Sequence, residues 1–138
     1  MVRKGRFALS NGEEYELISY QRQYYLKSED RFDLQRGFIK LSHDDNIFIK
    51  QVSVIDLQDA YEVFPYAMVS SYRFSVEGYN EETGIVGLVT NNPFVQGKID
   101  VRPYGQDEYI LEIPHEDVHI KEDRIPILGF DNYLRKQL

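Results

Sequence analysis

The dipeptide Asn11-Gly12, set within RFALSNGEEYEL at residues 6–17, constrains the fold of this chain more than any other stretch. Both residues tolerate positive φ, so a tight hairpin turn is expected between two short strands. Two registers compete. A two-residue turn pairs Phe7 with Glu16 and Leu9 with Glu14, which sets carboxylates among apolar side chains. A three-residue loop, Ser10-Asn11-Gly12, with Gly12 as the left-handed bulge residue, pairs Phe7 with Tyr15 and Arg6 with Glu16. Phe7, Leu9, Tyr15 and Leu17 then share a face. A one-residue slip exchanges the two faces of a strand, so side-chain pattern decides register and the three-residue loop is expected.

Most of the remaining chain reads as further strands. They are expected at Gln23–Ser28, Arg36–Leu41, Asn46–Val52, Ala67–Tyr79, Ile85–Thr90, Lys98–Arg102, Glu108–Ile113, Val118–Ile120 and Ile125–Leu128, with a polar turn at Ser42–Asp45. The period changes once. In SVIDLQDAYEVF, Val54, Leu57, Tyr61 and Phe64 fall at steps of three and four, Ser53 and Asp56 make a weakened capping box, and Pro65 follows as a stop. One short helix is therefore expected near 53–64, against the competing β reading suggested by Val54 and Ile55. A terminal helical turn is expected over 131–138, with Asp131 as its cap. The fold class is mainly β, antiparallel and built from hairpins, in a single domain of 138 residues whose one plausible seam lies near Pro65.

The halves echo one another. Arg6-Phe7-Ala8-Leu9 resembles Arg73-Phe74-Ser75-Val76, and His43-Asp44-Asp45 resembles His115-Glu116-Asp117, in the same order. Two related halves are one reading. Chance is the other, since strand-rich segments match easily, and it is favoured.

Composition narrows the function. Aromatics are abundant, with 11 Tyr and 8 Phe, and Tyr suits half-exposed strands and interfaces. The formal net charge of −7 argues against nucleic acid and anionic membranes and suits either a merely solvated acidic surface, which is the commoner case, or a basic protein partner. Absence of cysteine removes disulfides, thiol nucleophiles and thiolate metal sites. MVRKGRF is followed by no apolar run, so no signal peptide and a cytoplasmic location are expected.

The clearest chemical motif is His115-Glu116-Asp117-Val118-His119, a literal H-E-x-x-H. Its zinc chemistry requires a helix that puts both histidines on one face, with the glutamate activating a metal-bound water. Pro114 and strand-like flanks oppose that helix, and Asp117 stands where such a helix carries an apolar packing residue. Glu122 and Asp131 are the remaining candidates for a third ligand. His43, Asp44 and Asp45 could join His115, Glu116 and Asp117 in one cluster only if the halves faced each other. The carboxylates Glu13, Glu14, Glu16, Glu29, Asp30, Glu81 and Glu82 read as solvated turns and strand ends. Tyr20, Tyr24, Tyr25, Tyr61, Tyr66 and Tyr72 are candidates for an aromatic binding face, with the edge of a β core as the even alternative.

Lys4-Gly5-Arg6-Phe7, Glu14-Tyr15-Glu16-Leu17, and the run from Glu116-Asp117-Val118 through Pro126-Ile127-Leu128-Gly129-Phe130 give the chain a layout that resembles the small acidic immunity proteins of bacterial polymorphic-toxin systems. The resemblance implies a cytosolic, non-catalytic protein that masks a toxin, often a basic nuclease, by surface complementarity. It transfers no functional residue. Protein binding without catalysis or cofactor is thus the expectation. The alternatives are a metal-dependent hydrolase using His115, Glu116 and His119, and a β domain holding a small ligand in an aromatic pocket.

Overall fold

The computed structural model describes residues 2–41 and 46–130. The chain is mainly antiparallel β, as its alternating pattern predicts, and divides into two compact units. One unit, here the first, contains residues 5–63 with 124–130. The second contains residues 2–4 with 64–123.

In the first unit, β1 (Gly5–Ser10), β2 (Glu13–Tyr20) and β3 (Gln23–Ser28) form a meander. A 3-10 turn, Arg31–Arg36, leads to the two-residue strand β4 (Ile39–Lys40). β5 (Phe48–Val52) then pairs with β3 on one side and β4 on the other. A second 3-10 turn, Val54–Asp56, precedes β6 (Asp59–Val69), whose opening residues Asp59 to Val63 pair with β1. Ala8, Tyr15, Leu17, Leu26, Phe38, Phe48, Leu57 and Ala60 form the core, and Ile127, Leu128 and Phe130 pack on it.

The second unit repeats this order. The last part of β6, β7 (Tyr72–Asn80) and β8 (Ile85–Thr90) form a meander. A 3-10 turn, Pro93–Val95, leads towards the two-residue β9 (Arg102–Pro103). β10 (Tyr109–Pro114) pairs with β8 and β9, a 3-10 turn His115–Asp117 follows, and β11 (Ile120–Pro126) pairs with β6. Its core is Ala67, Phe74, Val76, Val86, Leu88 and Val95. Val86, Leu88 and Val89 are all buried, so β8 is covered on both faces, as its unbroken apolar run predicts.

The repeat is therefore real in topology, but its register differs from the expected echo. The Ala8–Tyr15 pair corresponds to Ala67–Phe74, and Leu26 to Leu88, each in the matching ladder position. β1 thus corresponds to β6, not to β7. Phe7 and Phe74, matched by the sequence echo, differ in environment: Phe7 is half-buried on the face away from the core and Phe74 is wholly buried. His43, Asp44 and Asp45 lie outside the described residues, as does the expected helical turn from Asp131.

Three further expectations are corrected. The first hairpin has the two-residue turn: Phe7 pairs with Glu16, Ala8 with Tyr15 and Leu9 with Glu14, and Asn11 and Gly12 have φ of 52° and 81°. The core row is Ala8 and Ser10 against Tyr15 and Leu17, so the carboxylates never enter it. On the opposite face Glu16 meets Lys27 at 3.7 Å and Glu14 accepts a hydrogen bond from the Tyr61 hydroxyl. The helix expected near 53–64 is a single 3-10 turn followed by strand, and the Ser53 side chain makes no capping bond. Strand pairing and the alternation of buried Tyr61, Val63, Pro65 and Ala67 outweigh the weaker helical spacing. Pro65 falls outside both of these ladders, since the pairing with β1 ends at Val63 and that with β7 begins at Tyr66. Finally, the long strand expected from Ala67 to Tyr79 folds back at Ser70-Ser71, whose φ values are 50° and 72°.

That last turn is strained, because serine has a Cβ in a region that glycine occupies freely. Ser71→Gly is expected to stabilise the protein by about 0.5–1 kcal/mol, the gain from left-handed geometry exceeding the added freedom of the unfolded chain. Chemical denaturation midpoints of the two proteins measure it.

Candidate functional site

The most elaborated polar site is in the first unit, after β3. The Ser28 hydroxyl accepts the Asp30 N–H at 3.0 Å, and the Asp30 carboxylate accepts the Phe32 N–H at 2.9 Å. These side-chain caps fix the start of the 3-10 turn. Its close is fixed by Gly37, whose φ of 93° places its N–H on the Asp33 carbonyl.

The turn buries Asp33, whose carboxylate takes hydrogen bonds from the Tyr15 hydroxyl at 2.9 Å, from the Ser28 hydroxyl, and from the Arg36 guanidinium at 2.8 Å. Burial by itself pushes the Asp33 carboxyl up. The bonds from Ser28, Arg36 and Tyr15, with the Arg36 charge, outweigh it and hold the group below the ordinary aspartate value. Tyr15 is pushed up, first by burial and then by the bond to Asp33 and its charge, with Arg36 opposing. A carboxylate so fully occupied is a brace rather than a base. It fixes β2, β3 and the turn around an open groove of about 650 Å³ rimmed by Glu13, Glu14, Glu16, Glu29 and Asp30, with Lys27 and Arg36 among its lining.

The second unit builds the same turn without the charge. Thr90 Oγ1 accepts the Asn92 N–H at 3.2 Å and Asn92 accepts the Phe94 N–H at 2.9 Å. Phe74 stands for Tyr15 and the wholly buried Val95 stands for Asp33. Hydroxyl and carboxylate are thus present together or absent together. Phe32 and Phe94, one step into each turn, are 70% and 71% exposed.

The six tyrosines expected to form a binding face are divided between the two units. Tyr20, Tyr24, Tyr25 and Tyr61 are in the first unit, and Tyr66 and Tyr72 in the second. Tyr24 packs on the first core and the adjacent Tyr25 takes the other face of β3, its hydroxyl donating to Gln23 at 3.1 Å. Tyr20 is exposed at the end of β2. Tyr61 is buried with Arg124 over its ring at 4.8 Å. Arg73 lies 3.7 Å over Tyr66, and Lys98 donates to the Tyr72 hydroxyl at 3.0 Å. Most of these rings are engaged with their own unit.

His115 and His119 are not on a helix. His115 opens the 3-10 turn His115–Asp117, with its ring 5.6 Å from that of Tyr79, and both histidines are exposed. Among the described residues no group of three or more His, Cys, Asp or Glu is placed to hold a metal ion. Asp33 and the exposed phenylalanines are absent from the candidates that sequence pattern singles out. The signal that finds them is the string Ser28-x-Asp30-x-Phe32, repeated as Thr90-x-Asn92-x-Phe94 at 62 residues later, a spacing that neither the Arg-Phe nor the His-Asp echo shares.

Asp33→Val is expected to cost about 2–4 kcal/mol, because two buried hydroxyls lose their charged acceptor. Tyr15→Phe added to it restores the second unit's combination, so the double variant should lose about 1–2 kcal/mol less than the sum of the single losses. Because the folded protein holds Asp33 below its ordinary value, its contribution is complete above about pH 4 and is lost as pH falls through the folded value. Denaturation across acidic pH should show that part of the dependence missing in Asp33→Val.

No curated protein and no solved structure matches the chain. A family model matches residues 2–129, and the chain belongs to that family, described as uncharacterised conserved protein UCP033725.

Proposed function

We propose that this chain is a non-catalytic protein-binding domain, and in its most specific form an acidic immunity protein that neutralises a basic toxin domain in the cytoplasm. The observation that carries the reading is Phe32 in the first unit. Its ring is about seven-tenths exposed, while the main chain beneath it is fixed by a two-step cap. Rigidly presented aromatics lose little freedom when a partner covers them, which makes them efficient anchors. The net charge of −7 supports a basic partner and fast electrostatic encounter.

The direct test mixes the purified protein with the C-terminal domain of a secreted toxin encoded beside it. A stable complex that suppresses the toxin, weakened about tenfold or more by Phe32→Ser with the melting temperature unchanged, is the expected result. Absence of any complex overturns the toxin reading. Stoichiometric zinc in the purified protein, lost in His119→Ala together with a hydrolytic activity, would replace binding by catalysis.

A further inference from the structure

The internal repeat separates what the fold requires from what it does not. One row of paired residues crosses the outer face of the first unit: Phe7, Glu16, Lys27, Ile49 and Ile39, each opposite the next. The corresponding row of the second unit is Tyr66, Ser75, Val89, Ile110 and Arg102. The rows agree at the half-buried pairs Phe7/Tyr66 and Ile49/Ile110 and diverge at the exposed end. Ile39 is 64% exposed where the second unit has Arg102, whose guanidinium is bound by Glu112. The next turn follows the same rule. Leu34 is exposed where Gln96 stands, whereas Leu41 and Tyr104, which make matching backbone bonds to Ile47 and Glu108, are both exposed large side chains. Charge changes alongside: Glu16 corresponds to Ser75, Glu29 to Asn91 and Asp30 to Asn92.

Both versions fold into the same strands and turn, so neither the exposed aliphatics nor the rim of carboxylates is needed for the architecture. Large aliphatics exposed in one unit and replaced by polar side chains at the matching positions of the other are free to serve a partner rather than the fold.

We infer that the surface formed by Phe32, Leu34 and Ile39 beside the carboxylates Glu16, Glu29 and Asp30 is a docking surface for a basic protein segment that carries an apolar anchor. Charge complementarity chooses the occupant. The adjacent groove carries five carboxylates on its rim against two cations, Lys27 paired with Glu16 and Arg36 paired with the buried Asp33, so it is acidic on balance, and a second copy of a chain with net charge −7 would meet like charge there. The inference deepens the protein-binding reading and assigns it to one of the two units.

The test uses two variants that borrow residues from the second unit, where the same fold already tolerates them. Leu34→Gln with Ile39→Arg removes the apolar anchors. Glu29→Asn with Asp30→Asn removes charge while asparagine keeps the cap. The probe is a phage-displayed library of random peptides panned on the intact protein. Selected peptides should combine Lys or Arg with an aliphatic or aromatic residue. They should bind Leu34→Gln/Ile39→Arg about tenfold or more weakly, and Gln96→Ala as tightly as the parent. Raising salt should weaken binding to the parent and much less to Glu29→Asn/Asp30→Asn. Circular-dichroism melts check that both double variants remain folded. No enrichment, enrichment of acidic or uncharged peptides, or equal binding to the parent and to Leu34→Gln/Ile39→Arg would each overturn the inference. A toxin complex that survives Leu34→Gln/Ile39→Arg removes this surface and leaves the toxin reading standing. Peptides that behave as expected without any toxin complex do the reverse.

Discussion

A strand that changes partner is the constraint on which this structure depends. β6 gives Asp59 to Val63 to the ladder with β1 and Tyr66 to Val69 to the ladder with β7. Phe64 and Pro65 lie between the two ladders, and a proline, which has no N–H to donate, is tolerated where the pairing with β1 has ended and that with β7 has not begun. Each unit then obtains a small residue, Ala8 or Ala67, opposite a large ring, Tyr15 or Phe74, and the two cores grow from those pairs. A wholly buried aromatic such as Phe74 contributes about 2–3 kcal/mol through area removed from water, so this placement matters more than any exposed ion pair.

The divergence of the two units shows how a polar core position is maintained. Asp33 sits in apolar surroundings only because three donors converge on it, and Tyr15 supplies one of them. The second unit replaces both partners with apolar side chains and keeps the turn, through Thr90 and Asn92. Removing both members of a buried pair costs far less than removing one, because no group is left unsatisfied.

Much of the architecture was legible from local pattern. Alternation placed β2 and β3 at their observed bounds, Asn11-Gly12 marked the first turn, and the apolar run Ile85–Thr90 announced a strand covered on both faces. What failed had non-local causes. The hairpin register turned on whether Phe7 or Ala8 faced the core, and the answer depends on Tyr61, which pairs beside Phe7 from another strand. Leu57 and Tyr61 are buried at helical spacing, yet Phe64 in the same series is exposed, because strand pairing rather than a helix face orders them. The Ser70-Ser71 turn carries neither Gly nor Asn, so no local signal marks it. The candidate tyrosines were legible as strand residues with a polar tip, but the burial of Tyr61 and their division between two units were not. The capping string after β3 was written plainly at both places and needed only the right spacing to be seen.

The allocation of chain segments has a consequence for the order of folding. Val2 packs on the core of the second unit, and Arg3 reaches Glu122 across 119 positions of sequence at 2.9 Å. Ile127, Leu128 and Phe130 pack on the core of the first unit, and the Ile127 N–H bonds the Ala60 carbonyl. During synthesis the strands β1 to β5 emerge early, yet their core stays uncovered until residues near 130 have left the ribosome. The entropy of closing that long loop is therefore lost late. All residues of the second unit have been made by residue 123, so the unit that begins first is the one that can be completed last.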